Sequence, residues 1–126
     1  MATEHDFTHP RNLYEKLERD SRRLDSELNG DNFFNFISTA CHLQNWIKKE
    51  EGLQSDATVD RLLKKLHDDP KMKLCADILD GKKLFKISID EDPNVANVII
   101  GDVELNPKGL KAEIMEIYQS YFLVKR

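Results

Sequence analysis

The chain has 126 residues, of which 40% are hydrophobic and 33% are charged, and its net charge is −4 at neutral pH. This size fits one domain with enough apolar residues to exclude global disorder, while the acidic balance argues against a protein that binds duplex nucleic acid mainly through its phosphates. No apolar run approaches the roughly 20 residues that cross a bilayer, and the first residues lack a signal-peptide pattern, so we expect a cytoplasmic protein without a membrane partner.

The first helix is expected between about Pro10 and Leu28, after a flexible segment of residues 1–9. Leucines recur on one stripe of this helix at helical spacing, and charged residues cover its other faces. The leucines of the stripe are Leu13, Leu17, Leu24 and Leu28. Asn29 and Gly30 are expected to end the helix, and Asp31 to cap the next one.

The second helix, about Asn32 to Glu51, is the most hydrophobic part of the chain and is predicted to be the central core helix. Its apolar arc contains Phe33, Phe36, Ile37, Ala40, Leu43 and Ile47, extended by Phe34 and Cys41. Gln44 falls near the middle of this arc, where its amide needs a polar partner on another helix or in a second copy of the chain. The opposite face carries Asn35, Ser38, Thr39, His42 and Trp46.

Two shorter helices are predicted next. A capping pattern at residues 55–58 starts the third, and Asp68-Asp69-Pro70 interrupts it. The fourth is expected from Lys71 to Asp80 and stops at Gly81. The two cysteines, Cys41 and Cys75, are too few for a disulfide scaffold and are interpreted as reduced thiols in the core.

The last third of the chain combines short strands with a helix. Residues 84–89 and 98–105 alternate in part as strands do, with a turn at Gly101 and Asp102. The final helix is expected from about Lys108 to Leu123. The sequence therefore predicts a mainly α fold: a four- to five-helix bundle in a single domain, residues 10–126, with a small β ribbon before the last helix.

Enzyme motifs are scarce. The chain lacks a phosphate loop, a dinucleotide fingerprint, a nucleophile elbow and a zinc-protease motif, and we expect no cofactor. Cys41, His42, His67 and Cys75 do not have chelating spacing, so no metal site is expected either. Arg61 and His67 have the Arg-x5-His spacing used by some helical ribonucleases, although six residues along a straight helix leave side chains about 120° apart.

Three runs of residues carry a family resemblance. Residues 32–36 read Asn-Phe-Phe-Asn-Phe, residues 42–47 read His-Leu-Gln-Asn-Trp-Ile, and residues 74–86 read Leu-Cys-Ala-Asp-Ile-Leu-Asp-Gly-Lys-Lys-Leu-Phe-Lys. They resemble a group of small prokaryotic helical proteins similar to the HEPN class, a superfamily of nucleotide-binding and RNA-cutting helical bundles. In that group an aromatic-rich helix ends in His-Leu-x-x-Trp, and a later helix ends in Cys-Arg-Asp followed by Asn-Gly-x-Lys-His.

The chain departs from this pattern at three positions. Ala76, Asp80 and Leu84 stand where the group has arginine, asparagine and histidine, although Cys75, Asp77, Gly81 and Lys83 match. The resemblance therefore implies a HEPN-like helical protein that lacks the phosphate holder and the proton carrier of acid-base catalysis. The resulting hypothesis is a non-catalytic accessory protein of a prokaryote or phage that binds protein or nucleic acid. The alternative is a metal-independent ribonuclease that uses Arg61 and His67.

Six residues are candidates for binding: His42, Trp46, Asp77, Lys82, Lys83 and Lys86. His42 and Trp46 lie one turn apart and form either a recognition surface or, as favoured here, a packed tryptophan beside a histidine bonded to backbone. For Lys82, Lys83 and Lys86 the sequence leaves two alternatives open: they contact phosphate, or they face solvent. A homodimer is predicted from Gln44 and from an aromatic patch on the last helix, Tyr118, Tyr121 and Phe122.

Overall fold

The computed structural model describes residues 9–50, 57–89 and 96–124. Five helices lie in these ranges: α1 (Pro10–Ser26), α2 (Gly30–Glu50), α3 (Ala57–Asp68), α4 (Pro70–Leu79) and α5 (Pro107–Val124). Three strands precede α5: β1 (Phe85–Ile89), β2 (Ala96–Ile100) and β3 (Val103–Leu105). The prediction of a mainly helical fold with a small β ribbon before the last helix is confirmed.

The junction between α1 and α2 differs from the predicted one. α1 ends at Ser26, and Gly30 opens α2 instead of closing α1. The side chain of Asn29 caps α2, because its Oδ1 accepts a hydrogen bond of 2.8 Å from the amide of Asn32. Asp31 therefore lies inside the first turn, where its negative charge is attracted by the partial positive charge at the start of the helix.

The ends of α4 follow from its own residues. Asp69 caps the helix by accepting hydrogen bonds from the amides of Lys71 and Met72, at 2.8 and 3.3 Å, and Pro70 occupies the first turn. Gly81 ends it with a φ of 76°, a backbone conformation that favours glycine. The predicted start of α3 at Ser55 lies outside the described residues.

The strands form one antiparallel sheet in the order β1-β2-β3. Gly101, with a φ of 62°, makes the tight turn between β2 and β3 at the predicted place. Val98 and Ile100 of β2 are buried, so the sheet packs one face against the helices. Phe33 of α2 contacts Phe85 of β1, with ring centroids 5.2 Å apart.

The core is centred on α2, as predicted. Its arc residues Phe33, Phe36, Ile37, Ala40, Leu43 and Ile47 are all fully buried. The inclusion of Phe34 in that arc was wrong, because its side chain is 42% exposed. The polar face is not simply solvated: Thr39 is buried against α1, whereas Gln44 on the apolar side is half-buried. The burial of Thr39 and of Gln44 therefore depends on the elements that pack against α2.

The aromatic residues of α5 do not form an exposed patch. Tyr118, Tyr121 and Phe122 are at most 5% exposed within one copy of the chain. Phe122 stacks on Tyr14 of α1 at a centroid distance of 4.4 Å, and the Tyr118 hydroxyl donates a hydrogen bond of 2.6 Å to the carbonyl of Ala40 in α2. This observation removes the patch as a reason for a homodimer. No helix in the described ranges is both long and apolar enough to span a membrane.

Candidate binding groove

A groove runs between the first turns of α2 and strand β1, and we call it the α2–β1 groove. Its volume is about 640 Å³, and its lining consists of Gly30, Asp31, Phe34, Asn35, Phe85, Lys86 and Ile87. The rings of Phe34 and Phe85 are nearly parallel, with an interplanar angle of 9° and centroids 6.3 Å apart. Because Phe34 stays 42% exposed, the groove offers an aromatic surface to a ligand.

Another apolar side chain near the start of β1 is exposed, although it does not line this groove. Leu84 immediately precedes β1 and is 85% exposed, the largest exposed fraction among the large hydrophobic residues that the structure describes as exposed. Leu84 stands where the HEPN-like pattern has histidine. The two other departures lie on α4 and directly after it: Ala76 is half-buried within the helix, and Asp80 is the exposed residue that follows it.

The lysines around Leu84 are placed by the end of α4. The amides of Lys82 and Lys83 donate hydrogen bonds to the carbonyl of Asp77 at 2.8 and 3.2 Å, and the amide of Gly81 donates to Ile78 at 3.1 Å. This pattern is the Schellman motif that ends many helices. Lys82 is exposed at the turn, and Lys86 is exposed on β1 at the α2–β1 groove.

Only three of the candidate binding residues line these grooves, and they are divided between two of them: Lys86 lines the α2–β1 groove, and the others line a second one. Asp77 and Lys83 are half-buried and line a second groove of about 600 Å³ between α4, β3 and α5. Its lining mixes cations and anions, and Lys71 in it forms an ion pair with Glu113. Opposite charges within one groove weaken each other's field, so this lining offers no net positive charge to a phosphate.

His42 and Trp46 lie elsewhere, on α2. Trp46 is half-buried and packs against the core. His42 is exposed. Neither residue lines the α2–β1 groove or the groove of Asp77 and Lys83.

Arg61 and His67 share the uninterrupted helix α3, and both are exposed. The helical repeat places them about 9 Å apart along the axis and about 120° apart around it. Arg61 lines a groove between α3 and α5 and donates from Nε to the carbonyl of Ala57 at 3.4 Å, whereas His67 is not part of that lining. The described structure thus does not bring the two side chains together on one site.

Cys41 and Cys75 are free thiols buried in the core. Burial raises the pKa of the Cys41 thiol to about 11, and the carboxylate of Asp80 adds to the rise. Burial raises the pKa of Cys75 further, with smaller contributions from Cys41 and Asp69. Both thiols are therefore protonated at neutral pH and are poor nucleophiles. Within the described ranges no three His, Cys, Asp or Glu side chains gather as a set that could hold a metal ion.

Sequence reasoning missed Phe34 and Phe85 as a surface pair. A usable indication was present, because consecutive residues leave a helix about 100° apart, and Phe33 and Phe34 therefore rarely face the same core. The contact with Phe85 spans about fifty positions and depends on how the sheet packs on α2.

No family model, curated protein or solved structure matches this chain.

Proposed function

We propose that this chain is a non-catalytic, HEPN-like binding protein of a prokaryote or phage and that its target is another protein. The observation that carries the proposal is the exposure of two apolar side chains near the start of β1. Phe34, which stacks on Phe85 in the groove, is 42% exposed, and Leu84, which precedes Phe85 in the chain, is 85% exposed. Large apolar side chains that stay exposed at or near a groove are typical of surfaces that a partner covers. The replacement of three residues of the HEPN-like pattern supports a binding role without catalysis.

A protein partner fits this surface better than RNA does. A nucleic-acid surface needs a cluster of cations that neutralises several phosphates. The α2–β1 groove contains one cation, Lys86, together with the carboxylate of Asp31. Apolar contact therefore dominates over charge in this groove, as it does in the buried core of protein interfaces.

The proposal is tested by co-purification from the native host with the full chain, after treatment with nuclease. We compare the unchanged protein with the variants Leu84→Ser and Phe34→Ser. Leu123→Ser is the matched control, because Leu123 is a large apolar residue that is 65% exposed on α5. Circular dichroism of each variant verifies that the fold is retained.

We expect one protein to be enriched by the unchanged chain and by Leu123→Ser, and to be lost with Leu84→Ser and Phe34→Ser. Equal enrichment by all four proteins would contradict the proposal. An RNA that co-purifies without nuclease and is lost with Lys82, Lys83 and Lys86 changed to Ala would favour the nucleic-acid alternative instead.

A further inference from the structure

We propose that the outer edge of β1 binds an extended, acidic segment of the partner as an additional β-strand; this inference rests on the proposed function and specifies its partner. β1 is an edge strand of the described sheet, since the strand order is β1-β2-β3. An edge strand presents a row of backbone N–H and C=O groups to which another chain binds by strand addition.

The register of the sheet determines which backbone groups point to this edge. The amide of Gly101 donates a hydrogen bond of 3.3 Å to the carbonyl of Leu84, one position before β1 begins. Hydrogen-bonded pairs alternate along an antiparallel ladder, so Lys86 directs its backbone groups towards β2. The N–H and C=O groups of Phe85 and Ile87 therefore point away from β2.

The outer edge of β1 faces the α2–β1 groove. Phe85, Lys86 and Ile87 form one wall of the groove, and the first turns of α2 form the other. A bound strand would lie about 4.8 Å from β1, within hydrogen-bond distance of Phe85 and Ile87. The exposed ring of Phe34 on the α2 wall would then contact apolar side chains of that strand.

Charge indicates the composition of the bound segment. Lys86 is exposed on β1, between the two residues whose backbone groups face outwards, and the exposed Lys82 lies just before the strand. These cations favour carboxylates on the face of the segment that lies beside Lys86, whereas Asp31 on the α2 wall of the groove disfavours carboxylates on the face beside Phe34. Successive side chains of a strand point to opposite faces, so a segment that alternates acidic and apolar residues satisfies both Lys86 and Phe34.

The test uses the full chain, labelled with ¹⁵N, and a synthetic blocked peptide of alternating Glu and Val residues. Two further peptides carry N-methyl groups on every second amide, one on the Glu residues and the other on the Val residues. The amides of the Glu residues and those of the Val residues point to opposite edges of a strand. Methylation of one set therefore removes the hydrogen-bond donors along one edge only. A peptide of alternating Lys and Val is the charge control.

We expect the Glu-Val peptide to slow amide hydrogen exchange at Phe85 and Ile87, whereas the amides of Lys86 and Ser88 exchange slowly even without peptide. One of the two methylated peptides should lose binding by at least about tenfold, which is about 1.4 kcal/mol, while the other binds. The Lys-Val peptide should bind at least about tenfold more weakly than the Glu-Val peptide.

Three outcomes would overturn the inference. In the first, no peptide binds; in the second, the two methylated peptides bind equally well, which would show contact through side chains alone. In the third, Phe85 and Ile87 exchange slowly without peptide in a manner that depends on protein concentration, which would assign the edge to a second copy of the chain. The Leu84→Ser co-purification is independent of all three, so strand addition and the proposed function fail separately.

Discussion

The hydroxyl of Thr39 in α2 donates a hydrogen bond of 2.6 Å to the carboxylate of Asp20 in α1, and both side chains are buried. The ammonium group of Lys16 lies 2.6 Å from the same carboxylate oxygen and 2.8 Å from the Thr39 hydroxyl. A buried carboxylate costs free energy unless it is paired and hydrogen-bonded. The ion pair with Lys16 and the hydrogen bond from Thr39 compensate the burial of the Asp20 carboxylate, and the polar side of α2 can therefore pack against α1.

Substitution of Asp20 by Asn is expected to lower the free energy of unfolding by about 1–3 kcal/mol, because the charge that pairs with Lys16 is lost. Asp25→Asn is the matched control, since Asp25 is on the same helix and pairs with Lys111 at 2.5 Å, but its side chain is 49% exposed. An exposed pair contributes about 0–1 kcal/mol. Urea unfolding measures both variants, and equal losses would contradict the assignment.

Phe122→Ala is expected to destabilise the fold by about 3–5 kcal/mol, because it removes a buried ring that stacks on Tyr14. The adjacent control Leu123→Ala removes a 65% exposed side chain and should change stability by about 0.5 kcal/mol or less. Sedimentation of both variants, carried out beside the unfolding measurement, determines whether each one is a monomer or a dimer. If Phe122→Ala instead dissociated a dimer and left the monomer fully stable, the aromatic residues of α5 would form an interface after all.

The buried thiols predict a pH dependence of stability. The pKa of Cys41 is about 11 in the folded chain, against an ordinary value of 9.0, so the folded state holds its proton at a pH where the unfolded state releases it. The contribution of the protonated Cys41 thiol to the free energy of unfolding is therefore fully present below about pH 9 and is lost as the pH rises towards about 11. We expect a shallower fall when both cysteines are changed to Ala.

Urea unfolding at several pH values measures this difference. Tyr14 and Tyr118, whose pKa values burial also raises, are present in both proteins and cancel in the comparison. Identical pH profiles would show that the thiols do not contribute. In the same samples, iodoacetamide at neutral pH should modify Cys41 and Cys75 only after unfolding.

Purified protein is expected not to cut a mixed RNA pool without added metal. Arg61 and His67 are about 120° apart around α3, so they do not converge on one phosphate. Gel analysis of the RNA after incubation checks this, with His67→Ala and Arg61→Ala as companions. Cutting that His67→Ala abolishes while the circular dichroism spectrum stays unchanged would establish the ribonuclease alternative.

Residue spacing and local caps are enough to predict the helices, their order and most of the apolar arc of α2, because each of these depends on neighbours within a few residues. Asp69 and Gly81 bound α4 through contacts with their own neighbours, and Gly101 makes its turn by virtue of its freedom at positive φ. Local patterns of this kind are readable without knowledge of the partners of each element.

Which faces of the helices are covered depends on tertiary packing. Tyr121 and Phe122 are consistent with an exposed patch on an isolated helix, but α5 packs them inside the bundle, where Phe122 stacks on Tyr14. Phe34 lies at the margin of the apolar arc by its angle, and in the folded chain it stays at the surface and contacts Phe85. Helical periodicity gives the direction of a side chain relative to its own axis, whereas burial depends on what lies opposite, and contacts between distant parts of the chain alone supply that information.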